Sequence, residues 1–185
     1  AGMLRRVPGK GTFVTEGKIE GRPLSYMGIR EQLEQMGYQT STKLLGITTM
    51  PVPSRVAKLL ELTKNAAVYK LSRVRFVKGQ PLSLHTSYLP KTLTPKLEGK
   101  DLLGTQLCDI LEHEYKHPIL RQVEILDSVP PSAEEAEIIM LHQTLPLLQL
   151  ENIFYTNNNP PVGYSRVVYR GDTTQVRLEE GTTAD

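Results

Sequence analysis

Apolar residues along the chain follow two different periods. Segments rich in β-branched and aromatic residues predict strands, whereas apolar residues three or four positions apart predict helices. The predicted strands are KLLGIT, AVYKLSRVRFV, LSLHTSYL, ILRQVEILDSV, LLQLENIFYT, VGYSRVVYR and TTQVRLE. The predicted helices lie at 25–36, directly after Ser54, near 101–115 and over AEEAEIIMLH.

Residues at the helix ends support these boundaries. Gly37 is a natural stop for the helix at 25–36 because glycine readily adopts a left-handed conformation. Ser54 is expected to cap the short helix that follows it. Ser132, with Glu135 three residues later, forms a capping box for the last helix.

The order of these elements predicts the fold class. Long strands joined by hairpins, with helices inserted singly, are typical of an α+β protein. We expect an antiparallel sheet with covering helices on one side. Such a sheet must close its apolar face against helices or against a second subunit.

Composition narrows the class of protein. The chain has 185 residues, of which 39% are hydrophobic and 23% charged, as in a folded soluble domain. No apolar run is long enough to span a membrane, and the N-terminal segment lacks the apolar central region of a secretory signal. The single cysteine, Cys108, excludes an internal disulfide and fits a reducing, cytoplasmic compartment. A net charge of +2 means that any binding to nucleic acid must be local.

Two arginines in LSRVRF are the first candidate for chemistry. Alternation along a strand places Arg73 and Arg75 on one face, roughly 7 Å apart. They are either solvated surface residues with ion-pair partners or a clamp for a phosphate or carboxylate, which the planar guanidinium fork suits. On the returning strand, His85 reaches their face if the hairpin loop leaves three or five residues unpaired. It is otherwise a structural histidine.

Other chemistry-bearing residues give weaker signals. His113, His117 and His142 have no metal-ligand spacing with each other or with Cys108, so no metal site and no cofactor are predicted. On the last long strand, Tyr164 and Tyr169 fall on opposite faces. Each is either core or a phenol at a polar pocket.

The start of the chain has a different character. LRRVPGKGTFV predicts a tight hairpin with a basic tip, which presents Arg5, Arg6 and Lys10 to a possible phosphate backbone. Charge alone does not separate this interpretation from an ordinary basic loop. EGKIEGRP, at 16–23, is expected to be a linker.

Together these segments resemble a known family. LRRVPGKGTFV is similar to the wing of the winged helix-turn-helix in GntR-type bacterial repressors. Residues 24–178 resemble the effector-binding UTRA domain of their HutC branch. The matching segments are MGYQTSTKLLG, PVPSRVAKLLEL, VYKLSRVRFVKGQPLSLHTSYLP, DLLGTQLCDILEHEY and PPVGYSRVVYRGD.

The resemblance implies a chorismate-lyase-like sheet, a homodimer and a small-molecule site on one sheet face. It assigns effector binding to the positions of Arg73, Arg75, Ser41, Thr105 and Tyr169. The domain layout would be a wing remnant at 1–15, the linker and an effector-binding domain at 24–185. Because the recognition helices of a DNA reader are absent, we expect a trimmed piece of a longer regulator, with Ala1 and Gly2 as cloning residues.

The chain departs from the family pattern at two positions. His85 and Gly163 stand where many sugar-phosphate-responsive members carry glutamates that accept hydrogen bonds from sugar hydroxyls. The anion clamp is retained, whereas nothing here favours an amino-sugar ligand. His85 would instead donate to a carboxylate, or pair with it when protonated.

The leading hypothesis is therefore an effector-sensing, non-enzymatic domain of a transcriptional regulator, expected to be a repressor. Its effector would be a small anionic metabolite such as a sugar phosphate or carboxylate. Effector binding would change the arrangement of a dimer that binds operator DNA through the missing N-terminal domain. A chorismate-lyase-like enzyme and a ligand-free dimerisation module remain as alternatives.

Overall fold

The structure, a computed structural model, describes residues 4–7, 11–14, 18–21, 33–157 and 160–176. The strands are β1 (Leu4–Val7), β2 (Gly11–Val14), β3 (Ile19–Gly21), β4 (Thr40–Pro51), β5 (Ala67–Val77), β6 (Gln80–Pro90), β7 (Arg121–Val129), β8 (Leu147–Tyr155), β9 (Gly163–Arg170) and β10 (Thr174–Val176). The helices are α1 (Ser54–Leu59), α2 (Leu107–Asp109, continued by a π-helical turn at Ile110–Glu114) and α3 (Ala133–Ile138), with a 3₁₀ turn at Leu97–Gly99.

One antiparallel sheet organises the described residues. Six strands are hydrogen-bonded in the order β4-β5-β6-β9-β8-β7, which leaves β4 and β7 as its edges. Apart from this sheet, β1 pairs with β2 in a hairpin, and β3 pairs in parallel with β10. The expected α+β sheet with covering helices is confirmed.

Helices and loops cover both faces of the sheet, not one as expected. On the first face, Leu97 and Ile110 pack on Leu71 and Leu89. On the second face, α1 and α3 pack on separate groups of strand residues. Both faces are covered because most strand positions carry apolar side chains in either orientation, and each apolar face must be shielded from water.

A β-bulge in the β5–β6 hairpin sets the alignment of these two strands. Lys78 and Gly79 form a two-residue turn, with φ of 49° and 75°, the left-handed conformation that such turns require. The register then shifts by one residue between Phe76 and Arg75, because Leu82 is an extra residue in β6. The two-residue turn alone would place His85 on the wrong face, and the bulge brings it opposite Arg73.

Several local predictions need correction. Ser54 is the first residue of α1 and makes no capping hydrogen bond, because Pro53 occupies the N-cap position in an extended conformation. The helix predicted near 101–115 is regular only from Leu107 onwards, since the preceding residues form a turn around Asp101. The capping box of Ser132 and Glu135 is confirmed.

Two N-terminal predictions fall partly outside the described residues. Of the helix at 25–36, the structure describes only residues 33–36, of which 33–35 are helical. Within the predicted linker at 16–23, Ile19–Gly21 is tied to Thr174–Val176 as a strand pair. In the described part of the chain, no helix has the length and apolar character needed to cross a membrane.

Candidate functional site

Arg73 and Arg75 lie together on the first face of the sheet. Cross-strand pairing places Arg73 opposite His85, and Arg75 opposite Ser83. The two arginines are 4% and 5% exposed, so the solvated-surface interpretation is wrong. Burying a guanidinium is costly unless its N–H groups find acceptors, so the surroundings of these groups decide what they do.

A loop from Asp101 to Gln106, here termed the clasp loop, supplies acceptors for both arginines. Arg73 donates from Nη1 to the carbonyl oxygen of Leu102 at 2.9 Å. Arg75 donates from Nη2 to Oε1 of Gln106 at 3.1 Å. Both acceptor oxygens are uncharged, so each of these two contacts is a hydrogen bond and not an ion pair.

The clasp loop is shaped by one carboxylate. Oδ1 of Asp101 accepts hydrogen bonds from the backbone N–H groups of Leu103 and Gly104, at 3.2 and 2.8 Å. The hydroxyl of Thr105 lies 3.4 Å from Oδ2 of the same side chain. A Cβ on Gly104 would come within 2.3 Å of that oxygen, so a larger residue there would have to displace the Asp101 carboxylate. Thr105 thus lies in the loop that covers the arginines, directed at Asp101.

Gln106 contributes a buried donor that the sequence did not reveal. Its Oε1 faces Arg75, which fixes the orientation of the amide and makes the remaining atom, Nε2, a donor. Among the described residues Nε2 has no hydrogen-bond partner, and the side chain is only 9% exposed. A buried donor without an acceptor costs about 1–3 kcal/mol. The site therefore gains free energy from any acceptor that reaches Nε2.

His85 belongs to the same group of side chains in its neutral form. Its Nε2 lies 2.9 Å from the hydroxyl of Ser83. Burial, together with the charges of Arg75 and Arg73, lowers the pKa of His85 well below its usual value. In the absence of a bound anion this favours the neutral imidazole, which can donate one hydrogen bond, over the protonated form.

Of the two tyrosines, Tyr169 shares the arginine face. It pairs with Ser83 across β6 and β9, and its ring meets His85 edge-on with centroids 6.5 Å apart. Burial raises the pKa of Tyr169 to about 12, so the phenol stays protonated and can donate. Tyr164 lies on the second face, where its hydroxyl donates to Glu151.

Two further positions differ from the resemblance. Ser41 pairs with Phe76 and is exposed, so its side chain lies on the face opposite Arg75; Thr42 is the residue across from that arginine. A Cβ on Gly163 would come within 2.7 Å of Leu89 and 3.4 Å of Phe154. Apolar side chains thus fill the space that a glutamate at this position would need.

The predicted DNA-contacting residues can be placed only in part. Arg5 and Arg6 belong to β1, which pairs with β2 as the predicted hairpin, and Lys10 lies outside the described residues. As for metals, no group of three or more His, Cys, Asp or Glu side chains in the described ranges could hold an ion.

Comparison with known proteins identifies the fold and the family. A family model described as the UTRA domain matches residues 35–175. The chain belongs to the UTRA family. The UTRA domain has the chorismate-lyase-like antiparallel sheet expected above, and PhnF from Mycobacterium smegmatis shares it. That crystal structure aligns with a TM-score of 0.82 at 23% identity, over 97% of this chain and 79% of PhnF.

Several curated relatives of this UTRA domain are named as transcriptional repressors. The HTH-type transcriptional repressor NagR of Bacillus subtilis (strain 168) is 25% identical over 171 residues, which cover 92% of this chain and 70% of NagR. The histidine utilization repressor of Pseudomonas putida is 22% identical over 178 residues, covering 96% of this chain and 70% of that protein. The UTRA domain described here is thus a domain of the kind found in transcriptional repressors.

Proposed function

We propose that this UTRA domain senses a small anionic metabolite, a phosphate or carboxylate compound, on behalf of a bacterial transcriptional repressor. The observation that carries the proposal is the buried group of donors formed by Arg73, Arg75 and Gln106. The two guanidiniums contact the clasp loop, and the amide N–H belongs to Gln106 of that loop. All three side chains are buried away from bulk water. An anion is the ligand whose oxygens accept from all three.

The phenol of Tyr169 and the neutral imidazole of His85 line the same face and extend this donor set. An anionic effector would compete with Leu102 and Gln106 for the arginine N–H groups, because these oxygens now occupy the positions that effector oxygens would take. Effector binding would thereby act on the clasp loop and on α2, which follows it directly. A ligand shifts such an equilibrium only by its differential affinity for the two states.

Regulation of DNA binding would require a DNA-binding domain and a second copy of the chain, and the proposal includes both. The basic hairpin at 1–15 would be the remnant of a DNA-binding domain for operator DNA, 16–23 its linker, and 24–185 the effector-binding domain. A homodimer would form through this domain. The edge strand β7 supports such pairing, since its Ile125 and Leu126 are 48% and 42% exposed.

A lyase-type enzyme is the weaker alternative. Turnover would need an acid poised beside the arginines. The two positions at which one would be expected carry a neutral His85 and a tightly packed Gly163. Binding of an anion needs only the hydrogen-bond donors already present and no such acid.

Arg73→Met tests the proposal, because it removes the guanidinium and keeps much of the apolar stem. Inorganic phosphate, sulfate and a panel of phosphorylated and carboxylated metabolites are titrated into the wild type and the variant by isothermal calorimetry. Loss of a hydrogen bond to a charged group costs about 1.5–3 kcal/mol, so we expect roughly 10- to 100-fold weaker binding.

Arg121→Met is the matched control. It removes the same charge from an exposed position on β7, on the opposite face of the sheet, and should leave affinity within about twofold. Equal losses in both variants would mean that net charge, rather than the clamp, attracts the anion. If Arg73→Met bound a wild-type ligand undiminished, the clamp assignment would be wrong.

A further inference from the structure

A row of polar side chains crosses the first face of the sheet beyond the arginines. Register pairs Ser87 with Ser165, Ser165 with Asn152, and Asn152 with Glu124, from β6 through β9 and β8 to β7. The neighbouring row on one side contains Val167 and Leu150. Ser87, Ser165 and Asn152 are nine-tenths buried or more. Polar residues so placed on an interior face call for a partner, since burying them costs stability.

Hydrogen bonds within this row satisfy most of its polar atoms but not one carboxylate oxygen of Glu124. The hydroxyls of Ser87 and Ser165 satisfy each other at 2.9 Å. Gln122 donates both N–H bonds of Nε2, one to Oε1 of Glu124 and one to Oδ1 of Asn152, each at 2.7 Å. Among the described residues, the buried Oε2 of Glu124 accepts no hydrogen bond. The row therefore ends in a carboxylate oxygen that lacks a donor.

Glu124 and Arg75 both act electrostatically on Tyr169, which lies between them on the first face. Tyr169 lies on β9, between the strands that carry the two charged ends, and its phenol feels the charges of both Arg75 and Glu124. Four strand spacings separate β5 from β7, roughly 19 Å between backbones, and side chains reaching inwards shorten this span. The face is thus positive at one end and negative at the other.

We propose that Glu124 and Asn152 form a second subsite, which binds the ammonium end of an effector whose other end is the anion held by Arg73 and Arg75. This inference rests on the proposed function, because it takes the arginine clamp as the first subsite. An ammonium group donates up to three hydrogen bonds and matches the charge of the carboxylate, whereas a hydroxyl matches only its acceptor capacity. A dipolar ligand is therefore complementary to both ends of the face.

The ionisation of Glu124 agrees with this assignment. Burial raises the pKa of Glu124 to about 7, so the carboxyl group is poorly compensated by the protein alone. On the same face, Tyr169, which stays protonated, interacts electrostatically with both Glu124 and Arg75. A bound cation would favour the ionised carboxylate.

A homologous series of probes tests the second subsite. The titrants are inorganic phosphate and ω-aminoalkyl phosphates with about two to eight carbons, each compared with the ω-hydroxyalkyl phosphate of the same length. A parallel series of ω-amino and ω-hydroxy carboxylic acids covers an effector with a carboxylate end. Calorimetry with the wild type should show one optimal length at which the amino compound binds at least tenfold more tightly than its hydroxy partner.

Two variants of β7 locate the effect. Glu124→Gln keeps the size and the hydrogen-bonding oxygen but removes the charge. It should reduce the preference for the amino compound to below about twofold while inorganic phosphate binds as in the wild type. Asp127→Asn removes the same charge three residues along the strand, on the opposite face, and should retain the full preference.

Each outcome bears on one of the two proposals. If amino and hydroxy compounds bind the wild type equally at every length, or if Glu124→Gln keeps the preference, the second subsite is wrong and the anion clamp stands. If none of the phosphates or carboxylates binds the wild type, the proposed function fails, and the second subsite fails with it.

Discussion

Gln106→Glu should stabilise the protein and block the proposed anion site. The substitution replaces the amide donor, which has no acceptor among the described residues, with an oxygen, and it relieves a cost of about 1–3 kcal/mol. It also places a carboxylate within hydrogen-bond distance of Arg75, whose strand position is roughly 7 Å from that of Arg73, and these separations set the scale of the two attractions. At an effective dielectric constant of about 20, the two attractions come to roughly 4 and 2 kcal/mol.

Desolvation of the new carboxylate offsets several kcal/mol of this gain. The expected net effect is about 2 kcal/mol of added stability, or a melting temperature about 4–8 °C higher for a chain of this size. Because the built-in carboxylate takes the place of the effector's anion, phosphate affinity should fall at least tenfold. Thermal unfolding, urea titration and calorimetry with inorganic phosphate measure the two effects.

Gln106→Met is the comparison that makes this prediction sharp. Methionine has a similar size but offers Arg75 no oxygen, so it should destabilise the protein by about 1–2 kcal/mol. The two variants are therefore expected to change stability in opposite directions. Destabilisation by Gln106→Glu to the same extent as by Gln106→Met would refute the argument, since the clamp would then have no preference for negative charge.

Three other predictions concern the rest of the domain. Glu151→Ala removes the acceptor of the Tyr164 hydroxyl at 2.7 Å and the partner of Arg55, which is 62% exposed; unfolding should need about 2 kcal/mol less, and calorimetric melting would show it. The pKa of Glu124 is raised to about 7 in the folded protein, so protonation of this carboxyl group stabilises the fold fully below pH 4.5, and this contribution is lost as the pH rises through 7. The melting temperature of Glu124→Gln, relative to that of the wild type, should therefore increase between pH 4 and 8. If copies pair through β7, Ile125→Glu should shift the protein towards monomer in light scattering; an unchanged dimer would place the interface elsewhere.

The strands could be predicted from the sequence because their side-chain pattern is local. Period-two alternation correctly placed Arg73 and Arg75 on one face, and Tyr164 and Tyr169 on opposite faces. The same alternation places Asn152 and Glu124 within their strands, but only the register between β7 and β8 brings them side by side. Long-range pairing of this kind leaves no trace in a single strand.

Two other features could not be predicted from the sequence, each for a different reason. The predicted helix near 101–115 failed at its start because Asp101 bonds to the backbone of its own turn, a choice that competes with helix formation. The role of Gln106 depends on the contact of its amide with Arg75, which lies 31 residues away. No periodicity in the clasp loop signals that contact.

The extra residue in β6 divides the β5–β6 ladder into two parts of opposite phase. Between Leu82 and the turn, the turn sets the pairing. Beyond Leu82, the shifted register places Ser83 and His85 opposite the two arginines. A one-residue insertion or deletion in the turn would therefore turn His85 and Ser83 away from the arginines unless a second change restored the count. In related sequences, a change in the length of the turn should therefore be accompanied by a second insertion or deletion at the bulge. The side chains that face the interior of the domain would then keep their orientation.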